Sequence, residues 1–187
     1  MQFILKNKSN TLVPTRMRPM INADSNLVSK YVEWSWNDIE TNLGVDLEFH
    51  PDARTMMHIG REELPLFGAF DETRTYATTM FGYVALRDGK PLATHTIALY
   101  SLGSYDLAEY LKNFGMFDGC PTIKFAQPAR SLAVGIRGIV GFVGNNWVDP
   151  SFRRRGFTRR STNLVRAIGY GTLNCPHFFY FIKASNV

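Results

Sequence analysis

No stretch of this 187-residue chain holds the roughly 18 consecutive apolar residues that a membrane-spanning helix requires. The opening Met1-Gln2-Phe3-Ile4-Leu5-Lys6 is too short an apolar run for a signal peptide. Cysteine is scarce: Cys120 and Cys175 are the two present, and they lack the spacing of a metal site. Free thiols in a reducing cytoplasm are the expected state. A disulfide between them is the alternative, since spacing says nothing about proximity. Internal repeats and low-complexity segments are absent, and residues 136–147 contain no carboxylate. These absences argue against a membrane span, a disulfide scaffold, a metal centre and a repeat architecture. The expectation is a cytoplasmic chain without a metal.

What is present is ordinary for a globular protein: 45% hydrophobic and 20% charged, with aromatics somewhat high at 13%. The length suits one domain with its own core, spanning residues 1–187. The net charge of +5 suits an anionic partner, whether a nucleotide cofactor, a nucleic acid or an acidic surface. The positive charge is uneven, with arginines clustered between Arg153 and Arg166.

Residues 1–25 hold Pro14, Pro19 and scattered basic residues, and read as an arm or a short first strand around residues 3–5 or 16–21. Residues 25–43 are helical in pattern: Ser25 can cap, Leu27, Tyr31 and Trp34 recur on one face, and Gly44 ends the run. Residues 54–63 allow a short helix, which Gly60 and Pro65 limit. Alternating apolar residues on both sides of Asp88-Gly89 mark a hairpin over residues 78–100. Leu107, Tyr110, Leu111 and Phe114 stripe a helix over residues 104–116. Residues 132–148 read as a central strand region with Gly135, Gly138, Gly141 and Gly144 at three-residue intervals, where a glycine marks a bulge or a close approach. After a loop at Gly169, Gly171 and Pro176 comes a β-prone run at residues 177–182.

The chain is organised around Trp147-Val148-Asp149-Pro150-Ser151-Phe152-Arg153-Arg154-Arg155-Gly156-Phe157-Thr158. An apolar strand precedes it. A helical pattern follows, with Phe157, Ser161, Leu164, Val165 and Ile168 on one face and Arg159, Asn163 and Arg166 on another. Strand, basic turn with one glycine, and helix N-terminus together form an anion site: the first N–H groups of the helix lack intrahelical partners, and the arginines add forked donors. The order of residues resembles the R/Q-x-x-G-x-G/A signature of the GNAT (Gcn5-related N-acetyltransferase) superfamily, with Val148, Pro150 and Phe152 as its lead-in. Thr158 departs from it, standing where Gly or Ala is usual.

The resemblance, which covers roughly residues 80–100 and 135–187, implies an α/β fold: a mixed central sheet flanked by helices. Residues 105–130 then form a helical insertion before the fourth strand, and the fifth strand lies parallel to the fourth. It implies a bulge at Gly144-Asn145-Asn146 and a cofactor arm held by the backbone of Trp147 and Val148. Pyrophosphate would lie at Arg153, Arg154, Arg155, Gly156, Phe157 and Thr158, with a further contact at Asn186. The implied reaction moves an acetyl group from acetyl-CoA to a primary amine, with the Val148 N–H polarising the thioester carbonyl. The helix and two strands that such domains carry after the fifth strand are missing, so a fragment, a longer continuation or a homo-oligomer completing the sheet is expected. No catalytic residue is assigned; His95 and Tyr100 are the groups on the hairpin that could reach a central cleft. Two alternatives stand beside this reading. One is a cofactor-binding or interaction module of the same fold without catalysis. The other is a nucleic-acid-binding face built from Arg153, Arg154, Arg155, Arg159, Arg160 and Arg166.

Overall fold

The computed structural model describes residues 26–60, 62, 68–120 and 127–181. The proposed first strand, Ser25, Ile182 and Asn186 lie outside these. The order of elements is α1 (Asn26–Leu43), β1 (Asp46–His50), β2 (Thr79–Arg87), β3 (Lys90–Ser101), α2 (Leu107–Asn113), α3 (Gln127–Ala133), β4 (Ile139–Val148), α4 (Phe157–Leu173) and β5 (His177–Phe179). Short 3-10 turns occupy Ala53–Met56, Gly68–Phe70 and Pro150–Phe152. The strands form one mixed sheet in the order β1-β2-β3-β4-β5, antiparallel except for the β4–β5 pair. The α/β class, the helices between β3 and β4, and the parallel fifth strand are as expected.

The pleat sends neighbouring residues to opposite faces, and each face is covered. Tyr83, Ile97 and Val143 pack under α1 and α4 with Trp36, Ile39, Leu164, Val165 and Ile168. Val84, Ala98, Tyr100 and Phe142 pack on the other face with Met56, Phe70, Leu107 and Leu111. The hairpin turns where expected, with Asp88 and Gly89 at φ 52° and 74°, the left-handed region that this residue pair tolerates.

Several expectations are corrected. On α1 the stripe Leu27, Tyr31 and Trp34 faces outward, with Leu27 76% and Trp34 62% exposed, and the buried face is Val32, Ser35, Trp36, Ile39 and Leu43. Among the described residues of 54–63 no α-helix forms; a 3-10 turn at Ala53–Met56 stands there, started by Asp52, whose carboxylate accepts from the Arg54 N–H. β1, just before it, was not foreseen. The strand expected from residue 132 begins at Ile139, because Gln127–Ala133 is helical and Gly135 and Gly138 turn the chain with positive φ. Gly169 and Gly171 belong to α4 rather than to a loop; a Cβ at Gly169 would lie 3.0 Å from the Phe178 ring, so glycine lets β5 approach the helix. The helix stops at Asn174, which is left-handed. No disulfide joins Cys120 and Cys175.

Candidate functional site: the fork between β4 and β5

β4 is irregular where the sequence resemblance implied a bulge. Its pairing with β3 runs from Ile139↔Ser101 to Gly144↔Thr96 and resumes at Trp147↔Thr94, so Asn145 and Asn146 stand opposite His95 alone. Asn145 takes φ 47° to make this possible. One extra residue re-aims the strand and leaves backbone groups off the ladder. The Asp149 N–H donates to the Leu92 carbonyl at 2.8 Å. Hydrogen-bonded and open pairs alternate along an antiparallel ladder, so the neighbouring Ala93↔Val148 pair is open, and the Val148 N–H and C=O point away from β3. By the same alternation the Trp147 peptide groups are turned toward β3.

On its other side β4 pairs with β5 only at Val140↔His177, Gly141↔Phe178 and Phe142↔Phe179. Beyond Phe142 the two strands part, and α4, the crossover between them, roofs the opening. The result is a cavity of about 700 Å3. Val143, Gly144 and Asn146 of β4 line one wall, and Tyr180 and Phe181, just past β5, line the other. The roof is Thr158, Arg159, Thr162, Asn163 and Arg166 of α4, and His95 of β3 also reaches the lining.

The turn that feeds α4 is built as the sequence suggested. Asp149 holds it: its carboxylate accepts from the Ser151 N–H at 2.9 Å and hydroxyl at 2.5 Å, and these bonds keep its carboxyl below the usual range. Asp149 therefore shapes the turn. Gly156 sits at φ 80° as N-cap without a side-chain cap, which leaves the first-turn N–H groups without a capping side chain. The buried side of α4 is the predicted one: Phe157, Ser161, Leu164, Val165 and Ile168.

The arginines do not share one face. The Arg153 Nε donates to the Val148 carbonyl at 3.0 Å, Arg155 lies over the Phe152 ring, and the Arg160 Nε meets Asp38 of α1 at 2.8 Å. Of the residues singled out from the sequence, Thr158 lines the cavity. Arg153, Arg154, Arg155 and Gly156 form the turn beside it, Phe157 is buried in the core, and Val148 ends β4. Trp147 does not line the cavity. Its indole packs against Gly60, where a Cβ would lie 2.4 Å from the ring. Arg159, Asn163 and Arg166, which the sequence reading set on the helix face away from the apolar one, line the cavity together with Thr162, which it did not single out. A signal for them existed, for α4 carries three arginines and no acidic residue to pair them.

His95 is 1% exposed, and its Nδ1 lies 2.7 Å from the Ser161 Oγ. The same hydroxyl lies 3.0 Å from the Thr158 carbonyl, so His95, Ser161 and Thr158 form one hydrogen-bonded chain. Burial, reinforced by the Arg166 charge, brings the His95 pKa down to about 3, which makes it a neutral imidazole at pH 7. Tyr100 faces the other core, where its hydroxyl approaches the Ala69 carbonyl at 3.2 Å; burial raises its pKa. It does not reach the fork.

The chain is similar in fold to N-acetyltransferases. A GCN5-related N-acetyltransferase from Ralstonia eutropha matches over 90% of this chain and 84% of its own, at 17% identity and a TM-score of 0.38. NAA60 of Arabidopsis thaliana, solved with acetyl-CoA, matches over 75% of this chain and 78% of its own, at 14% identity and a TM-score of 0.45. An acetyltransferase of Trypanosoma brucei matches over 75% and 86%, at 16% identity and a TM-score of 0.39. No protein-family model matches the sequence. No curated protein matches it either. Among the described residues, no cluster of His, Cys, Asp or Glu could hold a metal ion, and no helix is long and apolar enough to cross a membrane.

Proposed function

We propose that this chain is one acyl-CoA-binding unit that transfers an acyl group, acetyl in the simplest case, from a CoA thioester to a primary amine. One observation carries the reading: the cavity opened by the early end of β5 runs along α4 to that helix's uncapped N-terminus, beside a turn of arginines. An elongated ligand with an anionic end fits this shape. Its pyrophosphate would rest on the N–H groups of Phe157, Thr158 and Arg159, with Arg153, Arg154, Arg155 and the Gly156 turn around it. Its neutral arm would lie along β4, near Trp147 and Val148. The outward Val148 N–H is the donor for the thioester carbonyl, on which negative charge develops during attack. Asn186 is carried as a further contact from the sequence resemblance.

In the reaction the amine nitrogen attacks the thioester carbon, the C–N bond forms, the C–S bond breaks, and the sulfur leaves with the electron pair. The proton lost by the amine goes to the thiolate directly or through solvent. Binding without transfer is the second reading, and the observation in its favour is that no carboxylate lines the cavity among its described residues.

The test is a melting titration with CoA, acetyl-CoA and a short oligonucleotide side by side. CoA at 100 times its Kd raises apparent stability by about 2.7 kcal/mol. Gly156→Asp, which puts a carboxylate at the pyrophosphate position and a Cβ at positive φ, removes that shift. An unchanged melting temperature with saturating CoA overturns the proposal. Release of free thiol from acetyl-CoA with a panel of amines separates transfer from binding alone.

A further inference from the structure

The inner end of the fork holds a cation that the binding of CoA itself does not use. Arg166 lies seven residues beyond Arg159 on α4, about 10 Å farther along the helix axis from the N-terminal turn. A pyrophosphate at that turn is out of its reach. Its guanidinium lies 5.6 Å from the Tyr180 ring centre, which holds it over the point where β5 leaves β4. Its Nε is buried without a hydrogen-bond partner, and so is the Asn146 Oδ1 in the same cavity. No carboxylate meets Arg166 among the described residues. The titratable groups beside it are Tyr180, under its guanidinium, and His95, whose Nδ1 is occupied by Ser161.

A buried Nε–H without an acceptor is costly, and the natural complement of a guanidinium is a carboxylate, which takes two parallel N–H bonds. The arm of CoA and the thioester are neutral, so the anion must belong to what the thioester carries. We infer that the acyl group preferred by this cavity ends in a carboxylate, as a succinyl-type group does, and that Arg166 selects it, with the Asn146 amide beside it. This deepens the proposed acyl transfer and rests on it. The bonds that form and break are unchanged; the acyl carboxylate stays ionised and takes no part in the step.

The experiment compares succinyl-CoA with butyryl-CoA, its neutral counterpart of equal chain length, and with CoA, by calorimetry at one fixed salt concentration. In the unaltered chain succinyl-CoA should bind roughly tenfold or more tightly than butyryl-CoA, the size of a charge-assisted pair. Arg166→Gln should bring the two esters to equal affinity and leave CoA affinity unchanged. Arg166→Lys, which keeps the charge and loses the fork, should retain part of the preference, and thermal melting establishes that each variant is folded. Equal binding of both esters by the unaltered chain overturns the inference while leaving acyl-CoA binding intact. A loss of CoA affinity in a folded Arg166→Gln overturns it too, since Arg166 would then hold a cofactor phosphate. Failure of all three ligands to bind brings down the acyl-transfer reading together with the inference.

Discussion

His95 shows how one buried residue couples stability to pH. Its pKa falls from 6.5 to about 3 on folding, chiefly through burial and secondarily through the Arg166 charge. The unfolded chain therefore binds a proton at this site below pH 6.5 and the folded chain does not until about pH 3. Stability is flat above pH 6.5 on this account and falls as pH drops from there toward 3, by at most about 1.4 kcal/mol per pH unit. His95→Asn keeps an N–H near the Ser161 hydroxyl and removes the titration. Urea midpoints measured between pH 7 and 4.5 should fall less steeply in that variant than in the unaltered chain. Parallel slopes would mean that His95 is already charged in the fold. Ser161 is the hinge of this arrangement. Its hydroxyl serves His95, and its carbonyl accepts the Tyr83 hydroxyl at 2.6 Å, tying the middle of the sheet to the start of α4.

At the scale of elements, α1 offers the sharpest test. Trp34 and Trp36 are two residues apart, yet one is 62% exposed and the other 2%. Trp36 packs toward Tyr83, with ring centres 6.2 Å apart, inside the core shared with α4. Trp36→Ala should cost about 3–5 kcal/mol in denaturant unfolding. Trp34→Ala should stay within about 0.5 kcal/mol. Comparable losses would mean that the outward face of α1 is covered. Leu27, Tyr31 and Trp34 recur at helical spacing just as the buried Val32, Trp36, Ile39 and Leu43 do, so periodicity alone does not report which side meets the sheet. Other elements were legible because their signals are local. Asp88-Gly89 encodes a turn by its own conformational freedom, and the α4 core face repeats at helical spacing over several turns. β1 was missed although Asp46, Glu48 and His50 alternate with Leu47 and Phe49, since five residues beside a turn give a weak period. The strand, turn and helix around Gly156 could be read from the residues, whereas the lining of the cavity could not. The fork depends on where β5 stops, and its Arg166 lies beyond any local motif.

For the whole molecule, the two covered faces and the strand order predict a gradient of local stability. β3 is paired on both sides, to β2 and to β4, and sits between both cores. β5 is an edge of the sheet with three paired residues. Native-state hydrogen exchange should be slowest in β3 and fastest among the strands in β5. Saturating acyl-CoA should slow exchange in β5 and at Tyr180 and Phe181 while leaving β1 unchanged. Slowing of β1 and β5 alike would indicate global stabilisation and not occupation of the fork.

The short β5 has an implication for how such a chain can be altered. β4 and β5 resemble a fastener halted after three teeth, and the space beyond the last tooth is the space a ligand would enter. Its width is set by where the fastener stops, with Arg166 and Tyr180 wedged at that point. Substitutions that favour extended backbone after Phe179 would let it advance, gaining hydrogen bonds and closing the room. Here a better sheet is a worse receptacle, and selection for thermal robustness alone would drive the chain toward a sealed, inert form.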